Sequence, residues 1–234
     1  MKKILVIALA VVMMVSALAL VACGPQTKVA YGRVHKSYAG KATVVIQGGK
    51  IVSADIDEAC LPTQASAGED LGEYTVEATS KGNTVYYYKT VKFDDVTMVY
   101  DAEKGSYMVG ETKAADWLVD NSEKYFEAAA SDKVKAVTAN GEVVLGADKL
   151  LKSKNGYWAT PAEAALGWKA NVEATCAYVV ANGIGAITAK EDFTQANNGG
   201  KLDNEWVDAN GVKTGATWSD MWDYLVVLKA AIEK

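Results

Sequence analysis

Two runs of strand-forming residues flank Gly48-Gly49, and this arrangement constrains the fold more than any other feature of the sequence. The runs cover residues 38–47 and 50–56 and contain valine, isoleucine and threonine. A two-residue Gly-Gly loop suits a tight hairpin turn, because both central residues need positive φ angles that glycine adopts without strain. The pattern predicts an antiparallel β-hairpin at this point.

Later segments with β-branched and aromatic residues also favour strands. They are residues 85–93, residues 95–100 and a second small hairpin at Asn140-Gly141. The tyrosines of the first segment form either a stacking platform for a ring ligand or, as we favour, one face of a sheet. Residues 61–72 and 190–213 are polar and rich in Gly, Ser or Asn, so we expect loops there.

Apolar residues at helical spacing predict three helices. They cover residues 112–130, the stretch from Thr160-Pro161 to Asn182-Gly183, and the chain from Trp218 onward. Strands and helices thus fall in blocks and do not alternate. We therefore expect an α+β fold of antiparallel hairpins with packed helices.

The N-terminus has the three-part layout of a secretory signal. Lys2-Lys3 precede a mostly apolar run, which ends in Leu20-Val21-Ala22-Cys23. A cysteine directly after a small residue resembles the lipobox of bacterial lipoproteins. That resemblance implies cleavage before Cys23, diacylation of its sulfur and a position at the extracytoplasmic face of the cell membrane. The alternative is an uncleaved transmembrane anchor.

These features divide the chain into three parts. We expect a signal peptide over residues 1–22, a lipid-anchored tether over residues 23–30 and a folded domain over residues 31–234. The net charge is −5, and loss of Lys2-Lys3 would take it to −7. A chain with this negative net charge is a poor candidate for binding nucleic acid, which is itself negatively charged. Its membrane contact would come from the acyl chains and not from charge.

The cysteine and histidine content narrows the possible chemistry. In an exported protein, Cys60 and Cys176 are candidates for a disulfide. The alternative, two buried thiols, is favoured because Cys176 lies in an apolar helical pattern. His35 is the single histidine, which excludes a multi-histidine metal site. We expect His35 to be solvated at the surface, and we expect no metal site.

One short motif is a candidate functional site, namely Thr214-Gly215-Ala216-Thr217 before the last helix. It is a turn of small residues that presents a hydroxyl at a helix N-terminus, where free backbone N–H groups suit a phosphate. The alternative is a purely structural turn, in which Thr217 or Ser219 caps the helix and Gly215 makes the turn.

The tetrapeptide resembles the flavin-attachment motif of FMN-binding domains, Ser/Thr-Gly-Ala-Ser/Thr. In that family an FMN transferase esterifies the last Thr or Ser through the FMN phosphate. Thr217 matches the esterified position, and Thr214, Gly215 and Ala216 match the rest. Tyr38-Ala39-Gly40 and the hairpin up to Ile56 resemble the opening of such domains. The fuller motif usually has Asp three residues before its first Ser/Thr; this sequence has Gly211 there, and Asp208 lies three residues further back.

The resemblance implies an FMN-binding-like fold with a large insertion, which residues 110–200 would supply as an insertion or subdomain. It also implies an electron carrier with covalent FMN, more a redox carrier than a catalyst, served by an FMN transferase and a quinone-linked or membrane donor. The alternative is a cofactor-free surface lipoprotein that binds a small molecule or a protein. Aromatic candidates to lie near a flavin ring are Tyr86, Tyr87, Trp158, Trp168, Trp206, Trp218 and Trp222.

Overall fold

The computed structural model describes residues 24–62, 73–80, 83–155, 166–196, 200 and 203–234. Within these ranges the chain forms antiparallel β-sheets and four α-helices. The mixed α and β content confirms the expected class at a coarse level.

The first sheet contains three antiparallel strands, β1 (Gln26–Val34), β2 (Tyr38–Gln47) and β3 (Lys50–Ala59). Gly48 and Gly49 join β2 to β3 with φ angles of 57° and 75°, so the predicted hairpin is confirmed. Strand β1 pairs with β2 along its whole length. It takes in residues 26–30, which we expected to lie in the tether.

The second sheet has six strands in the order β11-β10-β6-β7-β8-β9. They are β6 (Thr90–Phe93), β7 (Val96–Asp101), β8 (Ser106–Val109), β9 (Thr112–Lys113), β10 (Lys135–Thr138) and β11 (Gly141–Val144). The β10–β11 pair confirms the hairpin expected at Asn140-Gly141. Strands β4 (Thr75–Ser80) and β5 (Asn83–Tyr88) form a separate antiparallel pair.

The strand character predicted over residues 85–93 is confirmed, but the segment forms two strands because the chain changes sheets at Lys89. The Lys89 N–H group donates to the Tyr74 carbonyl oxygen at 2.7 Å, while its own carbonyl accepts from the Tyr100 N–H group at 2.9 Å. Lys89 therefore hydrogen-bonds to Tyr74, which precedes β4, and to Tyr100 in β7. As a result, β5 and β6 lie in different sheets.

The helices are α1 (Ala114–Ala130), α2 (Ala147–Leu150), α3 (Trp168–Asn182) and α4 (Met221–Glu233). Helix α1 confirms the prediction over 112–130, and α3 ends at Asn182 before Gly183, as expected. Thr160-Pro161 lie outside the described residues, but α3 begins at Trp168 after extended Gly167 (φ −67°, ψ 169°), so the expectation of one helix from residue 160 to residue 182 is wrong. Helix α4 begins three residues later than the predicted start at Trp218.

The long loop predicted over residues 190–213 contains regular structure. Strands β12 (Thr194–Ala196) and β13 (Glu205–Val207) pair antiparallel, and Lys190–Asp192 forms a short 3₁₀ helix. Another short 3₁₀ helix, Ile184–Ala186, precedes this segment. The polar Gly- and Asn-rich composition did not reveal these strands, because each has only three residues.

The three-stranded sheet separates two apolar cores. Ala30, Ala42 and Ile56 point from one face into a core with α3 and α4. Ala39 and Ala59 belong to the other core, which contains α1 and the inner face of the six-stranded sheet. Helix α1 packs against both sheets. The start of α4 is thereby fixed beside α3 and the three-stranded sheet.

Candidate functional site

The segment before α4 folds back onto β13. The Trp206 N–H group donates to the Ala216 carbonyl oxygen at 2.9 Å, and the Thr214 N–H group donates to the Trp206 carbonyl oxygen at the same distance. Residues 208–212 form the tight turn between these two stretches. The motif segment therefore lies against a strand and has a defined backbone path.

Asp208 closes this turn with its carboxylate. Its Oδ1 atom accepts the N–H groups of Asn210 and Val212, both at 2.9 Å, and its Oδ2 atom accepts the Tyr178 hydroxyl at 2.7 Å. Gly211 lies in the turn with a φ angle of 80°. Asp208 is thus engaged in holding the turn, and the glycine occupies the position where the fuller flavin motif has its Asp.

Thr214 and Ala216 are the buried members of the motif. The Thr214 hydroxyl is buried, donates to the Trp206 carbonyl oxygen at 3.0 Å and accepts the Ala216 N–H group at 3.1 Å. Gly215 has a φ angle of 75°, which favours glycine. Its N–H group donates to Glu205 Oε1 at 3.0 Å. Thr214, Gly215 and Ala216 therefore build the turn.

Thr217 is half-buried, as is Gly215, and it is the half-buried motif residue that has a side chain. Its hydroxyl oxygen lies 3.5 Å from Asn171 Oδ1, a longer separation than a good hydrogen bond has. The same Asn171 oxygen accepts the N–H groups of Thr217 at 2.7 Å and Trp218 at 3.2 Å. The hydroxyl is therefore weakly engaged, while the backbone that carries it is firmly held.

These contacts correct two expectations about the helix start. The N–H groups of Thr217 and Trp218 donate to the Asn171 side chain, so they are not available at a helix N-terminus for a phosphate. Asp220 precedes α4 with φ −115° and ψ 24°, without a side-chain cap. Neither Thr217 nor Ser219 caps the helix, and Trp218 lies outside it.

Trp218 joins the motif to a buried polar cluster. Its ring stacks on Tyr224 of α4 with centroids 3.8 Å apart and an angle of 12° between the planes. The Tyr224 hydroxyl donates to Glu58 Oε1 at 2.7 Å. The indole N–H group of Trp218 is buried and meets no acceptor among the described residues, which leaves a hydrogen-bond donor unsatisfied beside Thr217.

Glu58 lies at the centre of this cluster and is fully buried. Its Oε1 atom also accepts the indole N–H group of Trp168 and the Lys152 ammonium, the latter at 3.0 Å. Its Oε2 atom lies 3.0 Å from the same ammonium, but not in hydrogen-bonding geometry. Burial, together with the charge and hydrogen bond of Glu58, raises the pKa of Tyr224, so that phenol stays protonated.

Lys152 is 3% exposed. Its ammonium lies 5.0 Å from the Tyr38 ring centroid and 5.8 Å from that of Trp168. Sequence reasoning missed the Glu58–Lys152 pair. A signal existed, because Glu58 follows inward-facing Ala54 and Ile56 at the period of a strand.

A pocket of about 310 Å³ lies beside this cluster, between β3 and the start of α3. Its apolar wall contains Ile56, Trp168 and Val172. Trp168 thus belongs to both the pocket and the Glu58 cluster. Asn171 lies on the same turn of α3, so this part of α3 contacts the pocket on one side and holds Thr217 on another.

His35 is exposed, as we expected, and it also contacts an acidic side chain. It lies in the β1–β2 turn, where its Nδ1 atom contacts the Asp220 carboxylate and its ring stacks on Tyr38. Its side chain is 47% exposed, against 10% for Asp220. Burial alone would raise the pKa of Asp220, but the hydrogen bond and charge of His35 outweigh it and hold that pKa below its usual range.

Cys60 and Cys176 are buried free thiols, so the structure agrees with the favoured alternative to a disulfide. Burial raises the pKa of each thiol to about 12. Because the thiolate is the reactive form, neither cysteine is a candidate nucleophile in the folded protein. Cys23 lies outside the described residues.

The other aromatic side chains considered as neighbours of a flavin ring lie in different parts of the fold. Trp206 donates its indole N–H group to the Trp218 carbonyl oxygen at 2.7 Å, and Trp222 packs on Phe193. Tyr87 stacks on Tyr100 with centroids 4.3 Å apart, within the other core. Trp158 lies outside the described residues. Trp168, Trp206 and Trp218 are therefore the candidates that the fold brings toward Thr217.

Among the described residues, no cluster of three or more His, Cys, Asp or Glu side chains is arranged to hold a metal ion. The same part of the chain contains no helix long and apolar enough to span a membrane. No protein-family model matches the chain, and no curated protein or solved structure is significantly similar to it.

Proposed function

We propose that this chain is a lipid-anchored extracytoplasmic electron carrier with FMN esterified to Thr217. The observation that carries the proposal is the difference in burial and contacts between Thr217 and the rest of the motif. Thr214 and Ala216 are buried and Gly215 supplies the positive φ of the turn. Thr217 is half-buried, and among the described residues its hydroxyl has only a 3.5 Å polar contact. A hydroxyl that must form a phosphoester has to be accessible, while its backbone has to be held in place.

The surroundings of Thr217 are compatible with FMN. The buried indole N–H group of Trp218 lacks an acceptor among the described residues, and an FMN oxygen would satisfy it. Trp168 and Trp206 would supply apolar ring surface. When bound, FMN would supply electron-transfer chemistry. This chain's residues would fix its position and exclude water from one side.

Asn171 would act as a positioning residue. It holds the N–H groups of Thr217 and Trp218, so it fixes the backbone on both sides of the ester oxygen. The Trp218–Tyr224 stack and the Glu58 hydrogen bond then tie this backbone to α4 and β3. The attached group would be held by a rigid part of the fold.

The anchor is a separate part of the proposal. Strand β1 begins at Gln26, only three residues after Cys23, so lipid on Cys23 would keep the domain close to the membrane. A quinone-linked or other membrane donor would then be within reach. Incorporation of radiolabelled palmitate into the wild-type chain, but not into Cys23→Ser, is expected; equal labelling of both would contradict the anchor.

Flavin attachment is tested by producing the exported chain in cells with and without an FMN transferase. With the transferase, we expect flavin absorbance that stays with the protein after denaturation and gel filtration. The intact mass should rise by one FMN less one water. Colourless protein of unchanged mass in the presence of an active transferase would contradict the proposal.

A further inference from the structure

The pocket between β3 and α3 has the size and walls of a small-molecule site. Its volume of about 310 Å³ is near the lower end of the range for ligand pockets, which suits a molecule of one or two rings. Ile56 and Val172 are buried apolar side chains, and Trp168 adds an indole ring. The Trp168 N–H group donates to Glu58, so its polar edge is already satisfied.

Both lysines of the pocket lining have an acidic neighbour. Lys152 forms an ion pair with buried Glu58 at 3.0 Å, and Lys169 lies 3.9 Å from Glu173. Asp55 completes a lining of two acids and two lysines. The two acids and two lysines of the lining balance each other, so the pocket offers no net attraction to an ion, and a charged ligand would lose hydration beside the apolar wall. The lining therefore favours a neutral occupant.

From these observations we infer that the pocket binds a neutral molecule with a flat, mainly apolar ring system, which packs against Trp168, Ile56 and Val172. Apolar burial and ring contact supply the affinity. The balanced charges of the lining favour neither a cation nor an anion. The site needs neither FMN nor Thr217, so it holds whether or not the carrier function does.

The test uses ¹⁵N-labelled protein made without an FMN transferase. Three probes share one ring system: 2-naphthol is neutral at pH 7, naphthalene-2-sulfonate is an anion and naphthalen-2-ylmethylammonium is a cation. The readout is the indole N–H signal of Trp168, assigned by its absence in Trp168→Phe. We expect 2-naphthol to shift this signal saturably and to bind at least about tenfold more tightly than either ion.

Two tryptophan substitutions on α3 give a matched pair. Glu173 is exposed at the pocket mouth, and Ala177 is exposed one turn further along, outside the pocket. Glu173→Trp should obstruct the mouth and weaken 2-naphthol binding at least about tenfold, whereas Ala177→Trp should change it by less than about twofold.

A third variant separates this site from the flavin proposal. Thr217→Val should bind 2-naphthol as the wild type does, even though it lacks the hydroxyl needed for esterification. The inference is overturned by the absence of a saturable Trp168 shift, by ions that bind as tightly as 2-naphthol, or by equal weakening in the two tryptophan variants.

Discussion

The side-chain oxygen of Asn171 lies 2.7 Å from the backbone nitrogen of Thr217. This single amide also accepts the Trp218 N–H group, and its nitrogen donates to the carbonyl oxygens of Leu166 and Gly167. Helix α3 and the segment before α4 are thereby fastened together across 46 positions of sequence. The orientation of Thr217 depends on this contact.

Asn171→Ala should therefore destabilise the protein by about 2–3 kcal/mol, because it leaves the N–H groups of Thr217 and Trp218 without their acceptor. Urea unfolding followed by circular dichroism measures the change. Asn182→Ala is the matched control on the same helix: Asn182 is exposed, its amide donates only to the Tyr178 carbonyl oxygen, and we expect a change within about 0.5 kcal/mol. Equal losses in both variants would contradict the role of Asn171.

Removing one member of the Glu58–Lys152 pair should lower the free energy of unfolding more than replacing both members together. Lys152→Met leaves a buried carboxylate without its cation, so we expect a loss of about 3–5 kcal/mol, and Glu58→Gln with Lys152→Met should recover part of it. A double-mutant cycle from urea unfolding gives the coupling. Lys154→Met, two residues further along at an exposed position, is the control. Additive effects of the two single changes would show that the pair is not coupled.

The His35–Asp220 contact should make stability depend on pH in the acid range. The pKa of Asp220 is lowered in the folded state. Its contribution to the free energy of unfolding is therefore complete above the ordinary carboxyl pKa near 4, and it is lost as pH falls through the lower folded pKa. The free-energy difference between wild type and Asp220→Asn should therefore shrink between about pH 5 and pH 2. His35→Gln should reduce this pH dependence. A difference that stays constant or grows toward acid pH would refute the assignment.

The two buried thiols should resist modification until the protein unfolds. Because burial raises the pKa of Cys60 and Cys176 to about 12, almost no thiolate exists at pH 8. In the Cys23→Ser protein, a thiol-reactive dye should label neither cysteine in buffer and both in denaturant without reductant. Rapid labelling of the folded protein, or no labelling of the unfolded protein until reductant is added, would contradict this picture.

Local chemistry explains which elements the sequence predicts. The Gly48-Gly49 hairpin depends on a turn that needs positive φ at both positions, and both glycines adopt it. Helix α1 follows from the apolar spacing of Leu118, Tyr125 and Phe126, all of which are buried. In each case the decisive residues lie within one hairpin or one helix.

Contacts between distant segments explain what the sequence did not predict. Trp218 has helical spacing with Met221 and Leu225, yet Asn171 holds the backbone there outside the helix. Residues 85–93 have uniform strand character, yet Lys89 bonds to two different neighbours. The Glu58–Lys152 pair spans 94 positions. No local pattern contains these partners.

The most direct measurement of the central claim is the intact mass of two variants at position 217, produced with an FMN transferase. Thr217→Ser keeps the hydroxyl, and Thr217→Val keeps the shape of threonine without it. We predict that the serine variant gains one FMN less one water and that the valine variant stays unmodified. A flavinylated valine variant, or the absence of flavin from both the wild type and the serine variant, would contradict attachment at Thr217.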